Sequence, residues 1–232
     1  MIALIDSDIM AYAIAYTCKD EDEAHVMLTV DAHIAEIVHS SGVDDYGLFL
    51  TGDKCNRRNK YPEYKAKRAS EKPAYHPFIR EYLICEYNAI VTDDGREADD
   101  LIAEICISEW KSWSALNNGP SLDGCLEYIA CSSDKDFNTF PGWHYNPKWR
   151  VKYWVSEEDA ELWLACQLIM GDSCDNIKGL PDHGSYAAYN ILKDCTDPLL
   201  RAKLAYQYHY RDNCTKSWSE EYNKNLELLK IG

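Results

Sequence analysis

No apolar run in the chain approaches the ~18 residues that a membrane-spanning helix requires. The first residues are apolar, but Asp6 and Asp8 interrupt them and no basic segment precedes them, so a secretory leader is not expected. Positive charge is scarce: 24 Lys and Arg face 39 Asp and Glu, giving a formal net charge of −15. This excludes nucleic-acid binding driven by global positive charge, though not binding by a local patch. The ten cysteines form no CxxC pair, and most sit among apolar neighbours, as Cys106 does in LIAEICI and Cys166 in LWLACQLI. They are expected to be reduced, small buried hydrophobes. The seven histidines show no HxH or HxxxH spacing, so a zinc site is not expected. Low-complexity tracts, internal repeats and an obvious linker are absent. What remains is 232 residues with 46% apolar and 12% aromatic content, enough to bury a core without covalent staples.

A short apolar run followed by carboxylates recurs four times. Ile2–Ile5 precedes Asp6-Ser7-Asp8, and Tyr46–Leu50 precedes Thr51-Gly52-Asp53. Ala89–Val91 precedes a loop and Glu97-Ala98-Asp99-Asp100, and Tyr128–Cys131 precedes Ser132-Ser133-Asp134-Lys135-Asp136. Such runs predict buried strands. Helical spacing marks 24–39 and 98–110 between them, so the fold class is α/β with a mainly parallel sheet flanked by helices. Ligands in such sheets bind beyond the carboxyl ends of the strands, where all four acidic groups would lie. Residues 117–124 read as a loop. Trp143–Tyr145 and Val151–Val155 predict a hairpin. Ser156, with Asp159 three residues on, predicts a capped helix reaching Gly171. Residues 186–192 and 217–231 complete the helical set.

Nine acidic residues form the candidate site: Asp6, Asp53, Glu97, Asp99, Asp100, Asp134, Asp136, Asp172 and Asp175. Two like charges ~4 Å apart repel by about 4 kcal/mol at an effective dielectric near 20, so such a gathering needs cations. Oxygen donors without Cys or His select hard ions, Mg²⁺ or Mn²⁺, and two of them suit phosphodiester cleavage. The reading requires these oxygens to converge without being neutralised by Arg and Lys. Taken singly, each Asp also fits a helix cap or a turn; Asp8 is left as a cap, and Asp44, Asp45, Asp93 and Asp94 as solvated loop charge.

Between 54 and 72 lies a basic island: Lys54, Arg57, Arg58, Lys60, Lys65, Lys67, Arg68 and Lys72 against Glu63 and Glu71 alone. Tyr61 and Tyr64 interleave the charges, a pattern suited to phosphates and stacked bases. The island follows Asp53 directly and is expected to sit over the acidic pocket.

These segments resemble one family. GDKCNRRNKYPEYKAKR resembles the arch of the flap endonuclease / 5′→3′ exonuclease family, GREADDLIA its EADD motif, and SSDKDF its DKD motif. GDSCDNIKGLPDHG is similar to the segment that opens its helix–three-turn–helix element, over a match that runs roughly from residue 1 to 192. The resemblance is nearest to the phage branch. It implies a PIN-like nuclease domain over 1–155, with the arch at about 53–77, and a helix–three-turn–helix and helical region over 156–232. It implies a metal-dependent 5′→3′ exonuclease with flap endonuclease activity, acting on DNA and on RNA in hybrids through two Mg²⁺ or Mn²⁺ ions. Asp6, Asp53, Glu97, Asp99 and Asp100 would serve the first ion, and Asp134, Asp136, Asp172 and Asp175 the second. Lys65 and Arg68 would act on the scissile and neighbouring phosphates. Tyr64, Lys67, Lys178, Gly179 and Gly184 would contact nucleic acid. DNA and replication proteins would be its partners, in the cytoplasm of a bacterium or a phage-infected host. Two departures stand out: Asp182 replaces a usual Gly, and Tyr186 a usual basic residue.

Three rivals use fewer of these features. A haloacid-dehalogenase-type phosphatase would use Asp6 as nucleophile, Asp8 as acid/base and GDSCDN as a late acidic motif. It leaves EADD, SSDKD and the basic island unused. A PIN-type ribonuclease would lack the arch and the GDSCDN segment. A non-catalytic nucleic-acid binder has no need of every acidic position.

Overall fold

The computed structural model describes residues 1–68, 71–117, 126–211 and 217–232. A six-stranded sheet forms the frame: β1 (Ile2–Asp6), β2 (Asp45–Leu50), β3 (Ile90–Val91), β4 (Tyr128–Cys131), β5 (Gly142–Asn146) and β6 (Val151–Val155). The strand order is β3-β2-β1-β4-β5-β6, parallel throughout except for the β5–β6 hairpin. Asp6 pairs in register with Phe49, Ile5 with Cys131, and Leu50 with Val91. The carboxyl ends of the first four strands therefore lie side by side, and the acidic groups that follow them share one edge of the sheet. The chain moves outward from β1 through β2 to β3, then returns to place β4 on the other side of β1. That reversal opens the crevice where α/β folds bind ligands.

Alternation along the strands explains the layers. Ala3, Ile5, Leu48, Leu50, Ile129 and Cys131 face one side. There they pack on α1 (Ser7–Thr17), α2 (Glu23–Ser41) and, beyond the five-residue helix α3 (Asn56–Lys60), on α4 (His76–Tyr87). Leu4, Phe49 and Ala130 face the other side, against Ile102, Ala103 and Cys106 of α5 (Ala98–Asn117). Both faces are covered, so the strands read as continuous apolar runs.

Beyond β6 the chain is helical: α6 (Glu157–Met170), α7 (Ser185–Leu192), α8 (Pro198–Tyr210) and α9 (Trp218–Leu229). Ser156 caps α6 by accepting from the Asp159 N–H at 3.0 Å. Between α6 and α7, β7 (Gly171–Asp172) pairs with β8 (Ile177–Lys178). Leu164, Leu168, Ala188, Leu192, Ala202, Tyr206 and Leu228 make the core of this layer, and Tyr64 enters it from the basic segment.

The expected strands and the hairpin are present, as are the helices expected at 24–39, 98–110, 156–171, 186–192 and 217–231. Helices α1, α3, α4 and α8 are additions. Helix α5 continues through Asn117, so the expected loop starts later; its residues 118–124 lie outside the described residues. The described cysteines are all unpaired, and Cys125 and Cys214 fall outside. No helix among the described residues is long and apolar enough to cross a membrane.

Candidate metal centre and basic cleft

Each carboxylate is positioned by local backbone logic. Asp6 ends β1 and caps α1, accepting from the Asp8 N–H at 3.2 Å. Ser132, just after β4, donates to the other Asp6 oxygen at 3.0 Å and accepts from the Asp134 N–H at 3.0 Å. One hydroxyl thus joins the ends of two adjacent strands. Asp134 caps a 3-10 helix over Lys135–Thr139 by accepting from the Asp136 N–H at 3.0 Å. Asp136 accepts from Gln167 of α6 at 2.5 Å. Asp172 accepts from the Cys174 N–H at 2.8 Å and from the Lys135 ammonium. These contacts join Asp6, Asp134, Asp136 and Asp172 in one chain of neighbours.

The second group stands at the start of α5. Glu97, Asp99 and Asp100 each present an oxygen within 4.8 Å of the others, a spacing one cation can span. Asp100 accepts from the Glu97 N–H at 3.0 Å, and Asp99 from the Asp100 N–H at 2.8 Å. Asp175 is buried beside them and is reached by Lys65 and Arg68. Asp53 is exposed on the wall of the adjoining cleft.

Electrostatics decides whether this gathering wants cations. Burial first, then Asp8 and Asp134, push the Asp6 carboxyl up to about 7. Burial, then Glu97 and Asp100, push Asp99 well above the usual carboxylate range. Burial and Asp134 push Asp136 up to about 6, against the pull of Lys135 and Gln167. Two others go the other way. Burial raises Glu97, but Lys65, Arg57 and the Tyr64 hydroxyl outweigh it and hold the group below its ordinary value. Asp172 is likewise lowered, because Lys135 and backbone N–H groups outweigh its burial.

The requirement that basic side chains stay away is met only in part. Arg57 bridges Glu97 at 2.9 Å and Asp100; Lys65 pairs with Glu97 and stands 3.9 Å from Asp175; Arg68 pairs with Asp175; Lys135 pairs with Asp172. Among the described residues Asp6, Asp99 and Asp134 have no such ion pair, and the carboxyls of Asp6, Asp99 and Asp136 are raised first by burial and then by their acidic neighbours. An all-oxygen donor set so arranged fits hard divalent ions. Their arrival must displace protons from these groups. The stabilisation a divalent ion adds is therefore expected to be at least twofold larger at pH 8 than at pH 5.5, where Asp6 and Asp136 hold protons. His76 and His144, both held near 4 chiefly by burial, make the metal-free protein less stable as pH falls through 6.5, opposite in sign to the raised carboxyls. The test is therefore the difference in melting temperature with and without Mg²⁺ at each pH, in which the histidine effect cancels. Equal increments at both pH values would remove these carboxylates as ligands.

The basic island does sit over the acidic groups, but half of it is engaged. Arg57, Lys65 and Arg68 bind site carboxylates, and Lys60 binds Glu227 of α9 at 2.6 Å. Lys54, Arg58, Lys67 and Lys72 remain exposed. Tyr64 is corrected. Its ring is 2% exposed within the helical core, so no face is open to stack on a base; its hydroxyl donates to Glu97 at 2.9 Å. Gly179 is required to be glycine by its own surroundings. A side chain there would strike the backbone of Ile169, Met170 and Gly171, so its glycine serves the chain's own packing. Gly184 opens α7 with free space around it, and Lys178 is exposed on β8. Asp182 adopts the left-handed conformation, φ +61°, that a glycine takes readily.

Several participants carry no role of their own in the sequence pattern. Arg57, Ser132, Lys135 and Gln167 contact the acidic groups directly. Arg80 of α4 pairs with Asp8 at 2.5 Å and donates to the Thr51 carbonyl at 2.6 Å, while Asp8 also accepts from the Thr51 N–H at 2.8 Å. Asp8 is thus held as a tie between α1, β2 and α4, which removes the acid/base of the phosphatase reading.

No protein-family model matches the chain. An exodeoxyribonuclease of Enterobacteria phage T3 is 29% identical over 179 residues, 74% of this chain and 55% of the relative. An exonuclease of Escherichia phage T7 is 29% identical over 142 residues, 58% of this chain and 43% of the relative. The match spans about half the length of these curated relatives. The phage T5 5′-exonuclease, solved with divalent zinc ions bound, superposes with a TM-score of 0.63 at 21% identity, over 98% of this chain and 86% of that one. The fold is that of the flap endonuclease / 5′→3′ exonuclease family. The catalytic core of Rad2, solved with a DNA substrate, shares this 5′-exonuclease fold more distantly, with a TM-score of 0.51 at 15% identity over 99% of this chain and 74% of that one.

Proposed function

We propose that the protein is a metal-dependent 5′→3′ exonuclease with flap endonuclease activity that hydrolyses phosphodiesters in DNA and in RNA–DNA hybrids. The observation that carries the reading is the convergence of acidic side chains at the carboxyl edge of the sheet, with more negative charge than the four neighbouring cations offset. Residues 1–155 would form the nuclease domain and 156–232 the helical region that meets the duplex. Two Mg²⁺ ions are proposed, one held by Asp6, Asp53, Glu97, Asp99 and Asp100 and one by Asp134, Asp136, Asp172 and Asp175. Bound there, they would supply Lewis-acid activation of water and charge neutralisation at the scissile phosphate.

The chain's own residues do the rest. Ser132 and the Asp134 cap fix the two strand ends relative to each other. Gln167 orients Asp136. Tyr64 and Arg57 orient Glu97, so that its second oxygen faces Lys65. Lys65 and Arg68 are cations next to the acidic groups, able to leave their carboxylate partners for phosphate oxygens as charge develops. Lys67, Lys178 and Gly184 would contact the phosphate backbone of the strand. The similarity to the phage T3 exodeoxyribonuclease supports DNA as the substrate, and the fold shared with the phage T5 5′-exonuclease supports the 5′ polarity.

The test is digestion of 5′-labelled and 3′-labelled duplex, flap and hybrid substrates with Mg²⁺ and with EDTA. Release of short products from the 5′ end with Mg²⁺, and at least ~10³-fold less with EDTA, is expected. Cleavage that survives EDTA, or that starts from the 3′ end, would refute the proposal.

A further inference from the structure

Next to the carboxylates lies a cleft of about 550 Å³, within the range of about 300–1,000 Å³ typical of small-ligand sites. Glu97 and Lys65 line it, and so do Tyr12, Lys72, His76 and Arg80. His76 opens α4 and is 1% exposed, and neither of its ring nitrogens has a hydrogen-bond partner among the described residues. Its ring lies 4.2 Å from that of Tyr12, centroid to centroid. A buried donor or acceptor left unpaired is costly, and buried polar groups are nearly always satisfied. Here the unpaired imidazole lines a polar cleft, beside cations.

Those cations have one character. Arg80 is fixed by Asp8 and the Thr51 carbonyl through two of its nitrogens, and its five N–H groups exceed those two bonds. Lys72 is exposed. Burial first, then Lys72 and Arg80, hold the His76 imidazole at about 4, so it is neutral at pH 7 and offers one N–H. A neutral ring donor, a fixed guanidinium and a free ammonium around one concavity suit a compact dianion. A terminal phosphate monoester carries close to two negative charges at pH 7, an internal diester one.

We propose that His76, Lys72 and Arg80 form a subsite for the terminal 5′-phosphate of the strand being cut, so that the enzyme prefers 5′-phosphorylated over 5′-hydroxyl ends. The inference rests on the nuclease reading above and adds a specificity to it. With the terminal phosphate there and Lys65 and Glu97 in the same cleft, the end of the strand is held next to the carboxylates, which favours short products.

The test uses two duplexes that differ only in a 5′-phosphate or 5′-hydroxyl on the cleaved strand. Cleavage is followed in Mg²⁺, and binding by fluorescence anisotropy in Ca²⁺. A preference of about tenfold for the phosphorylated end is expected in both kcat/KM and Kd. Lys72→Ala and His76→Gln should each reduce it about threefold, and together bring it near unity. A protein without the preference, or a double variant that keeps it, overturns the subsite. Cleavage of both duplexes at equal rates sinks the subsite and leaves the nuclease reading standing. Preferential binding lost in the double variant, without cleavage of either duplex, does the reverse. Should His76→Gln melt well below the parent, Lys72→Ala alone decides, because its exposed side chain carries no packing.

Discussion

Asp134 and Asp136, replaced together by Asn, are expected to slow phosphodiester cleavage by at least about 10³-fold while DNA affinity in Ca²⁺ changes less than threefold. Asn is chosen because an amide oxygen can still cap the 3-10 helix as Asp134 does and accept from Gln167 as Asp136 does. The backbone of the loop should therefore survive, and only negative charge is lost. The raised Asp136 carboxyl says that charge is costly in the metal-free protein. Its removal should raise the melting temperature in EDTA and reduce the stabilisation by Mg²⁺. Single-turnover cleavage, anisotropy and thermal melts check the three statements. A double variant that cuts within tenfold of the parent would show that Asp134 and Asp136 are structural, and the two-ion scheme would fall with it.

The sheet was legible because burial on both faces leaves a plain signature. Ile2–Ile5, Tyr46–Leu50 and Tyr128–Cys131 are apolar at every step, and each stops at a polar turn. Helix α4 was hidden because it buries only His76, Ile79 and Leu83, a stripe too thin to read as an apolar face. Helix α8 buries only Pro198, Ala202 and Tyr206, a stripe too thin to stand out. Its start could have been read from Asp197-Pro198, a capping residue followed by a proline at the first helical position. Helix α1 was masked by Asp8, whose charge is spent on Arg80 rather than on solvent.

The candidate site was legible in its acids and illegible in its partners. Carboxylates after strands fall on one edge of a parallel sheet by topology alone, so Asp6, Glu97, Asp99, Asp134 and Asp136 could be named without coordinates. Which cation meets which acid depends on how residues 54–68 fold back, and no periodicity encodes that. Arg57 looked like one charge among eight, yet it bridges α5 to the Lys230 carbonyl at 3.0 Å near the end of the chain. Tyr64 shows the same limit from the other side. Interleaved with lysines, it read as a stacking residue; its burial follows from α6 to α9 closing over it, a tertiary event.

The second large effect concerns Lys65. Its backbone takes φ +55°, held by an N–H bond to the Asp175 carbonyl at 2.9 Å, and its ammonium points between Glu97 and Asp175 over the Tyr64 ring. Burial alone would make that ammonium easier to deprotonate, but Glu97, Asp99 and Asp175 outweigh it and keep the group charged. A buried cation that gives up carboxylates for a phosphate changes little in net solvation, so its attraction can be reserved for the transition state. Lys65→Ala is therefore expected to lower the single-turnover rate about 10²-fold, with Kd for DNA within about threefold of the parent. The φ value strains Ala no more than Lys, so folding should hold. Lys65→Arg should recover only part of the rate, because a planar guanidinium replaces a point charge. A variant in which Kd rises about 10²-fold at an unchanged single-turnover rate would make Lys65 a docking group, and the transfer of its charge from Glu97 to phosphate would have to be abandoned.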